Sequence, residues 1–454
     1  MQKFDLIVIG AGSGLNVAAA ASNKNLKVAL IEPGPMGGTC LNRGCIPSKI
    51  LIHSADVAQL IRRSSLYGID ARINSINFTK VIQRASKLVD HESAQIERGI
   101  KQDKNTTLFK GTAIFTGKNT LSINNKTISG EKIVIAAGTR VQIPNIPGLD
   151  TVPYITSTEA LRLKKLPKTM TIIGGGYIAA ELADFYRGLG TKTTIVQRSS
   201  ILIKNEDITI AKAFTKIVAK NHNLLLNHAT LSVAKKGGMI ITTVKSDKGV
   251  IKNIESEQLL IATGRIPNSD ILAVEKTGIK TTAAGYIEAN EYMETSAKNI
   301  WVLGDIAGKY LFKHSANLEA DVVINNAIAG SRTKVNYTAM PHAIFSNPQI
   351  AGVGERQQDL DARKASYAIG EYKYLKTGMG KALEDSDGFV RIYTDKRTHK
   401  ILGCHIIGSE ASTLIHEVII AMRHNLTVDQ IYDTIHIHPA LSEVIERACG
   451  AIEW

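Results

Sequence analysis

The first thirty residues alternate between apolar runs and a segment of small residues. An apolar run over residues 6–9 is followed by Gly10, Gly12 and Gly14, then by an alanine-rich stretch, and then by a second apolar run that ends at Glu32. Short apolar runs bounded by glycine are typical of buried strands, and the alanine-rich stretch is typical of a helix. The pattern therefore predicts a strand, a glycine turn, a helix and a second strand, which together form a βαβ unit.

The same order of apolar run, glycine turn and helical stretch returns over residues 169–198. A repeat of this kind predicts two dinucleotide-binding units in one chain. An apolar strand that ends at Asp305, followed by a long helical pattern, indicates that the chain then returns to the first domain, so that the second unit is an insertion. After about residue 335 the pattern changes to shorter strands followed by helices, which predicts a third domain.

The composition narrows the class of protein. The chain has 454 residues, of which 44% are hydrophobic and 21% charged, and this predicts a soluble protein of two to four domains. The net charge of +14 is spread along the chain without a block of five or six basic residues, so we expect no nucleic-acid partner. The longest uncharged stretch, residues 6–23, contains the first glycine turn, and we expect neither a membrane partner nor a signal peptide. A cytoplasmic location is expected.

Four cysteines occur, and two of them, Cys40 and Cys45, are separated by only four residues. In a reducing compartment a close pair beside nucleotide-binding signals favours redox chemistry over a structural disulfide. On one helix the two side chains would lie roughly on one face, so their sulfurs could meet with modest distortion. Because no further Cys or His with metal-ligand spacing lies nearby, we expect no metal site.

At this point a family resemblance is evident. The segment GGTCLNRGCIPSK, residues 37–49, resembles the redox-active disulfide helix of the flavin disulfide reductases, which are the class I pyridine nucleotide-disulfide oxidoreductases. The resemblance extends over the whole chain. It implies an α/β fold with two Rossmann-like domains and a C-terminal α+β dimerisation domain. The corresponding bounds are 1–150 and 270–334 for the discontinuous FAD domain, 151–269 for the NAD(P) domain and 335–454 for the dimerisation domain.

The resemblance also implies catalytic roles. Cys45 would lie against the flavin as the charge-transfer thiolate, and Cys40 would be the interchange thiol that attacks the substrate disulfide. Lys49 would lie near the flavin N5 and pair with Glu181.

The C-terminal segment HIHPALSE contains the predicted base. An imidazole titrates near neutral pH, and His438 resembles the proton-transferring histidine of the family, with Glu443 orienting it. In the family this histidine reaches the disulfide of the other subunit. The resemblance therefore implies a homodimer whose active sites are shared between subunits.

The FAD contacts that are expected combine the first glycine turn with positions implied by the resemblance. The first glycine turn departs at one position from the GxGxxG pattern of dinucleotide-binding units, because Leu15 occupies the place of the third glycine. Gly14 is expected to take over part of the packing role of that glycine. The predicted FAD residues are Gly10, Gly12, Gly14, Glu32, Thr39, Lys49, Gly111, Ala113, Gly138, Thr139 and Asp305.

The second unit is expected to bind the nicotinamide nucleotide. Where an NAD enzyme carries a carboxylate for the ribose, the sequence reads Val196-Gln197-Arg198. Arg198 and Lys204 resemble the paired cations of the NADPH-using members, so NADPH is favoured over NADH and dual use stays open. The predicted residues are Gly174, Gly176, Tyr177, Ala179, Gln197, Arg198, Lys204 and Gly264.

The function predicted on these grounds is an FAD-dependent NAD(P)H:disulfide oxidoreductase that uses a Cys40–Cys45 disulfide. A dihydrolipoamide dehydrogenase-like activity is the leading interpretation, with a small disulfide or dithiol as substrate and a lipoyl-bearing protein as a further candidate partner. The alternatives are an NADPH-dependent, mycothione reductase-like enzyme for low-molecular-weight disulfides and, with less support, an NAD(P)H oxidase or quinone reductase. A basic binding protein on a retained oxidoreductase fold is the non-enzyme rival, and the net charge is its only support.

Overall fold

The computed structural model describes all residues, 1–454. No helix in it combines the length and the apolar character needed to cross a membrane. In chain order the helices are α1 (Gly14–Ser22), α2 (Gly38–Arg43), α3 (Cys45–Arg63), α4 (Phe78–Gln102), α5 (Ser157–Ala160), α6 (Tyr177–Gly188), α7 (Ile208–Ala219), α8 (Ser269–Leu272), α9 (Lys313–Val323), α10 (Gln357–Ala362), α11 (Gly378–Ala382), α12 (Ala411–Arg423), α13 (Val428–Tyr432) and α14 (Glu443–Gly450).

The strands in chain order are β1 (Gln2–Ile9), β2 (Val28–Ile31), β3 (Thr106–Phe109), β4 (Ile114–Gly117), β5 (Thr120–Ile123), β6 (Lys126–Ile135), β7 (Thr139–Val141), β8 (Thr169–Ile173), β9 (Lys192–Val196), β10 (Asn223–Leu225), β11 (His228–Lys236), β12 (Met239–Ser246), β13 (Ile251–Ser256), β14 (Gln258–Ile261), β15 (Arg265–Pro267), β16 (Ile300–Val302), β17 (Pro341–Ile344), β18 (Gln349–Gly354), β19 (Tyr367–Lys373), β20 (Phe389–Asp395) and β21 (Ile401–Gly408). The α/β class is therefore confirmed.

The chain forms two compact units, and the first comprises residues 1–48, 83–142 and 264–337. Its main sheet has the order β3-β2-β1-β6-β5-β4, with β16 paired to β6. Strand β1 runs parallel to both β2 and β6. Alternate residues of β1 belong to two separate apolar clusters, with Ile7 in one and Leu6 and Val8 in the other. Burial on both faces explains why residues 6–9 of this strand are an unbroken apolar run.

The second unit comprises residues 49–82, 143–263 and 338–454. It contains a parallel sheet of order β10-β9-β8-β14, a three-stranded antiparallel sheet β11-β12-β13, and a five-stranded antiparallel sheet β17-β18-β21-β20-β19. The parallel sheet is the second predicted nucleotide-binding unit. The five-stranded sheet belongs to the predicted third domain, and its core includes buried residues of helices α12 and α14. The predicted domain boundaries stay a prediction.

Helices α3 and α4 are separate, because α3 ends at Arg63 and α4 begins at Phe78. Gly68, at φ +73°, closes the last turn before the break, a conformation that favours glycine. Strands β17 and β18 pair as an antiparallel hairpin.

Candidate active site

The first glycine turn packs against the backbone segment that follows strand β6. Gly10 has a φ of +105°, and a Cβ built on it would lie 2.3 Å from the carbonyl oxygen of Ala136. Any side chain here would be both strained and in collision with backbone atoms. The turn therefore presents bare backbone at the start of α1, as a bound pyrophosphate requires.

Gly14 brings helix α1 against strand β1. A Cβ at Gly14 would lie 2.9 Å from Cγ1 of Val8 and 3.1 Å from Cβ of Ala136. This is the close helix–strand packing that the third glycine of the fingerprint normally allows. Gly14 performs it here, one position before Leu15.

Glu32 follows β2 and reaches back to the glycine turn. Its carboxylate accepts hydrogen bonds from the backbone N–H groups of Ala11, at 2.8 Å, and Gly34, also at 2.8 Å. The side chain is buried, and each of its two carboxylate oxygens accepts one of these hydrogen bonds. The carboxylate is thus fixed beside the turn where a ribose is expected.

The cysteine pair lies across a helix break, which corrects the expectation of a single helix. Cys40 is in α2 and Cys45 is the first residue of α3, and between them Gly44 adopts φ −147° and ψ −116°. A Cβ at Gly44 would lie 3.0 Å from the carbonyl oxygen of Thr39. The break supplies the distortion that allows the two thiols to hydrogen-bond. That hydrogen bond to Cys45, together with burial, raises the pKa of Cys40.

Lys313 is a charged neighbour of the cysteine pair that the sequence analysis missed. It begins α9, and its ammonium donates to the hydroxyl of Ser13, at 2.8 Å, in the first glycine turn. Its charge lowers the pKa of Cys40 against the larger opposing effects, while burial lowers the pKa of Lys313 itself. No spacing rule connects residue 313 to residue 40, because only the folded first unit brings them together.

Asp305 takes part in a polar network with Thr139. The Thr139 hydroxyl donates to the Asp305 carboxylate at 3.1 Å, and Arg265 donates to the same hydroxyl at 2.7 Å and to the Thr139 carbonyl at 2.6 Å. Burial raises the pKa of Asp305, and the charge of Arg265 opposes that shift. Arg265 therefore positions two of the predicted FAD residues.

The other predicted FAD residues of the first unit have varied surroundings. Thr39 is in α2, and Gly138, at φ +62°, has open space where a Cβ would lie. Gly111 faces Asn124, whose amide oxygen would be 2.7 Å from a Cβ at position 111. Ala113 is part of the apolar core, so its position is explained by packing alone.

In the second unit, Lys49 and Glu181 form the ion pair that the resemblance implied. The Lys49 ammonium lies 2.9 Å from Oε1 and 2.8 Å from Oε2 of Glu181, and Glu181 Oε1 also accepts from the backbone N–H of Phe345 at 3.0 Å. The ammonium further lies 4.4 Å from the centre of the Phe345 ring. The Glu181 carboxylate is thus held both by the side chain of Lys49 and by the backbone N–H of Phe345. This fixes the orientation of the lysine.

The second glycine turn repeats the contact seen in the first. Gly174 has a φ of +121°, and its Cβ would lie 2.2 Å from the carbonyl oxygen of Ala262. Gly176 has open space where a Cβ would lie, and Ala179 is buried on α6. The predicted Gly264, at φ +126°, belongs to the first unit.

Strand β9 ends without a carboxylate. The Gln197 amide donates to the Ser199 hydroxyl at 2.9 Å and accepts from the backbone N–H of Arg198 at 3.1 Å. Arg198 and Lys204 are exposed. These two cations are accessible to an anionic group of a ligand.

Tyr177 opens α6 and is tied to a buried carboxylate. Its hydroxyl donates to Oε1 of Glu206, and Oε2 of the same carboxylate lies 2.7 Å from Nε2 of His342. Burial is the main cause that raises the pKa of the Tyr177 phenol. Glu206 and His342 were not predicted as site residues, since neither belongs to a recognised motif.

His438 and Glu443 form a hydrogen-bonded pair. Nδ1 of His438 lies 2.8 Å from Oε1 of Glu443, and the other carboxylate oxygen accepts from the backbone N–H of Ala440 at 3.1 Å. The imidazole is 76% exposed and the carboxylate 7% exposed. The hydrogen bond from His438 lowers the pKa of Glu443. An exposed imidazole on a fixed carboxylate is suited to proton transfer with an external group.

Comparisons with known proteins agree over nearly the whole chain. The sequence profile of the pyridine nucleotide-disulphide oxidoreductase family matches residues 4–332, and that of its dimerisation domain matches residues 340–449. A mycothione reductase of Mycobacterium tuberculosis is 34% identical and covers 99% of both chains. A dihydrolipoyl dehydrogenase of Chlamydia trachomatis is 34% identical and covers 100% of this chain and 97% of the relative. A Cu(II) complex of the HOCl-induced flavoprotein disulfide reductase RclA from Escherichia coli matches with a TM-score of 0.89, 26% identity and 99% coverage of each chain.

Proposed function

The chain belongs to the pyridine nucleotide-disulphide oxidoreductase family, and from this premise we propose that it exchanges electrons between NAD(P)H and a small disulfide or dithiol through Cys40 and Cys45. The observation that carries the proposal is the cysteine pair itself. The two thiols hydrogen-bond to each other across the helix break at Gly44, and Lys313 lies beside them. The family uses FAD and a pyridine nucleotide, and its dimerisation domain supports a homodimer.

FAD fits the residues of the first unit. The Gly10 turn has no room for a side chain, Glu32 is fixed beside it, and the Asp305 carboxylate is held by Thr139. In the proposal these residues hold the dinucleotide. FAD, when bound, supplies the hydride-accepting centre that connects NAD(P)H to the cysteine pair.

The thiol steps use side chains of this chain. In the reducing direction the Cys40 thiolate attacks one sulfur of the substrate disulfide, which forms a mixed disulfide and releases one thiolate. His438, supplied across the dimer, gives that thiolate its proton. Cys45 then attacks the Cys40 sulfur, which restores the Cys40–Cys45 disulfide and releases the second half of the substrate as a thiol. Oxidation of a dithiol runs these steps in reverse.

The substrate proposed first is dihydrolipoamide or its disulfide. It is supported by the HIHPALSE segment and the His438–Glu443 pair, and by the 34% identity to a dihydrolipoyl dehydrogenase.

A second candidate is an NADPH-dependent reductase of low-molecular-weight disulfides. The missing carboxylate at the end of β9 favours it, because Arg198 and Lys204 suit a 2′-phosphate, and so does the 34% identity to a mycothione reductase.

The test is a steady-state comparison on the FAD-bound protein. NADH and NADPH oxidation are measured with lipoamide, and NAD and NADP reduction with dihydrolipoamide. Rapid dihydrolipoamide oxidation supports the first candidate, whereas turnover of another small disulfide with NADPH alone supports the second.

Cys40→Ser and Cys45→Ser should each abolish disulfide turnover while FAD stays bound. Full activity in both variants would overturn the proposal.

A further inference from the structure

Two histidines of the second unit lie over a glycine of the five-stranded sheet. His342 on β17 and His405 on β21 are both direct cross-strand partners of Gly352 on β18. Directly opposed residues project from the same face of a sheet, so both imidazoles lie on one side of β18. A Cβ at Gly352 would lie 2.7 Å from His342 Nε2 and 2.7 Å from His405 Nδ1. The glycine therefore leaves space beside both ring nitrogens.

Glu206 approaches the same space from the nucleotide-binding part of the unit. Its side chain is fully buried, and its Oε2 lies 2.7 Å from His342 Nε2. The ligand atoms of Glu206, His342 and His405 all lie within 4.8 Å of one another. Two imidazole nitrogens and a carboxylate oxygen thus converge on one point.

His405 has a buried nitrogen atom without a hydrogen-bond partner. The residue is 0% exposed, and its Nε2 lies 3.0 Å from the carbonyl oxygen of Glu355. A carbonyl only accepts, so Nε2 carries the proton and Nδ1 presents its lone pair. Nδ1 makes no hydrogen bond. Metal-binding histidines commonly donate their other ring N–H to a backbone carbonyl in this way, which fixes the tautomer.

We propose that Glu206, His342 and His405 form a binding site for a divalent transition ion of the zinc or copper kind. Imidazole and carboxylate ligands suit such ions, and three protein ligands leave a further coordination position for water. The ion replaces the hydrogen bond between His342 Nε2 and Glu206 Oε2. Since Glu206 also accepts from the Tyr177 hydroxyl, the ion is linked to the first residue of α6.

The test uses Zn²⁺ alone, added to the FAD-bound full-length protein after treatment with a chelator. The protein carries Cys40→Ser and Cys45→Ser, so that the thiols of this pair do not bind the ion. Metal content after gel filtration and a competition titration against a chromogenic chelator give the stoichiometry and affinity. We expect a single Zn²⁺ per chain, and at least about 100-fold weaker binding after Glu206→Gln or His342→Asn.

A matched control and a space-filling variant separate a metal site from a hydrogen-bond cluster. His399→Asn, which removes a surface imidazole 2.7 Å from Asp429, should leave Zn²⁺ binding unchanged. Gly352→Ala should abolish binding although it removes no ligand. If Gly352→Ala fails to fold, His342→Asn still decides the question, because that side chain is 17% exposed. No Zn²⁺ in the parent protein, or equal binding in all variants, overturns the proposal.

Discussion

The two glycine turns of this chain share a backbone conformation but differ in the residue that comes after the second strand of each unit. In both, a glycine with positive φ lies so close to a neighbouring carbonyl that a Cβ would be 2.3 Å away at Gly10 and 2.2 Å away at Gly174. After β2, the Glu32 carboxylate accepts two backbone N–H groups beside the turn. After β9, Gln197 occupies the equivalent place, bonds to Ser199, and is followed by the exposed Arg198.

The difference separates two properties of a dinucleotide site. The glycines determine that a phosphate can approach the backbone, and they do so equally in both units. The residues after the second strand bear on which ribose a dinucleotide site accepts, because a carboxylate favours hydroxyl groups and a guanidinium favours a phosphate. A repeated motif in one chain therefore predicts two nucleotide sites without making them alike.

The largest expected effect comes from adding a side chain to one glycine turn at a time. Gly10→Ala should yield protein with little or no flavin, whereas Gly174→Ala should keep its flavin and lose nucleotide-dependent reduction, because each Cβ collides with a different carbonyl. Flavin absorbance per chain and the rate of flavin bleaching by NADPH measure the two losses. Gly99→Ala, on α4 with open space around its Cβ, is the control and should change neither. Flavin loss in Gly174→Ala would show that the two turns are not independent.

Removing the guanidinium that follows Gln197 gives the next largest effect. Arg198→Ala should raise the KM for NADPH by about 10- to 100-fold, with little change for NADH, since a charge-assisted hydrogen bond contributes about 1.5–3 kcal/mol. Steady-state kinetics with both nucleotides measure the ratio. Lys212→Ala removes another exposed cation of the same unit, on α7, and should leave the ratio unchanged. An equal rise in both KM values would argue against a 2′-phosphate contact.

The thiols of the two units should also react differently. Lys313 lowers the pKa of Cys40, so Lys313→Met should raise it further and slow alkylation of the reduced cysteine pair by about three- to tenfold at neutral pH. Peptide mass spectrometry after timed alkylation with iodoacetamide follows each cysteine. Lys309→Met is the matched control, and Cys404 and Cys449 should stay unmodified, since burial raises the pKa of both. An unchanged rate would show that Lys313 does not act on the thiolate.

The smallest effect concerns the pH dependence of stability. Each unit holds a buried carboxyl with a raised pKa that can test it. Burial raises the pKa of Glu319 in the first unit to about 7, and that of Asp184 in the second to about 7. A carboxyl whose folded pKa is raised binds its proton more tightly in the folded state. Its contribution to stability therefore falls as the pH rises from about 4, near the pKa of the unfolded chain, to about 7, and is constant above.

Glu319→Gln and Asp184→Asn should each reduce this fall in the free energy of unfolding within their own unit. Hydrogen exchange at about pH 5 and about pH 8, read separately for peptides of the two units, measures it. An unchanged pH dependence in the unit that carries the substitution would contradict the predicted protonation state.

The sequence was sufficient wherever the chemistry depends on neighbours along the chain. Both glycine turns, the ends of β2 and β9 and the pairing of Cys40 with Cys45 follow from short spacings, and the family resemblance implied the His438–Glu443 pair. Comparison with known proteins confirmed the family. Turn geometry and close pairs are local, because backbone conformation limits side chains a few residues apart to a few arrangements. The roles assigned to these residues stay predictions.

The tertiary structure decided the contacts between distant positions, except for the Lys49–Glu181 pair, which the family resemblance implied. Lys313 beside the cysteines and Arg265 on Thr139 have no signal in local spacing. No metal site was expected because no further Cys or His with metal-ligand spacing lies near Cys40 and Cys45, whereas Glu206, His342 and His405 are separated by more than sixty residues. They meet only in the folded chain, His342 and His405 through strand register and Glu206 from the segment before α7. Register and packing are set by the whole core, so only the folded chain shows which distant polar groups lie side by side.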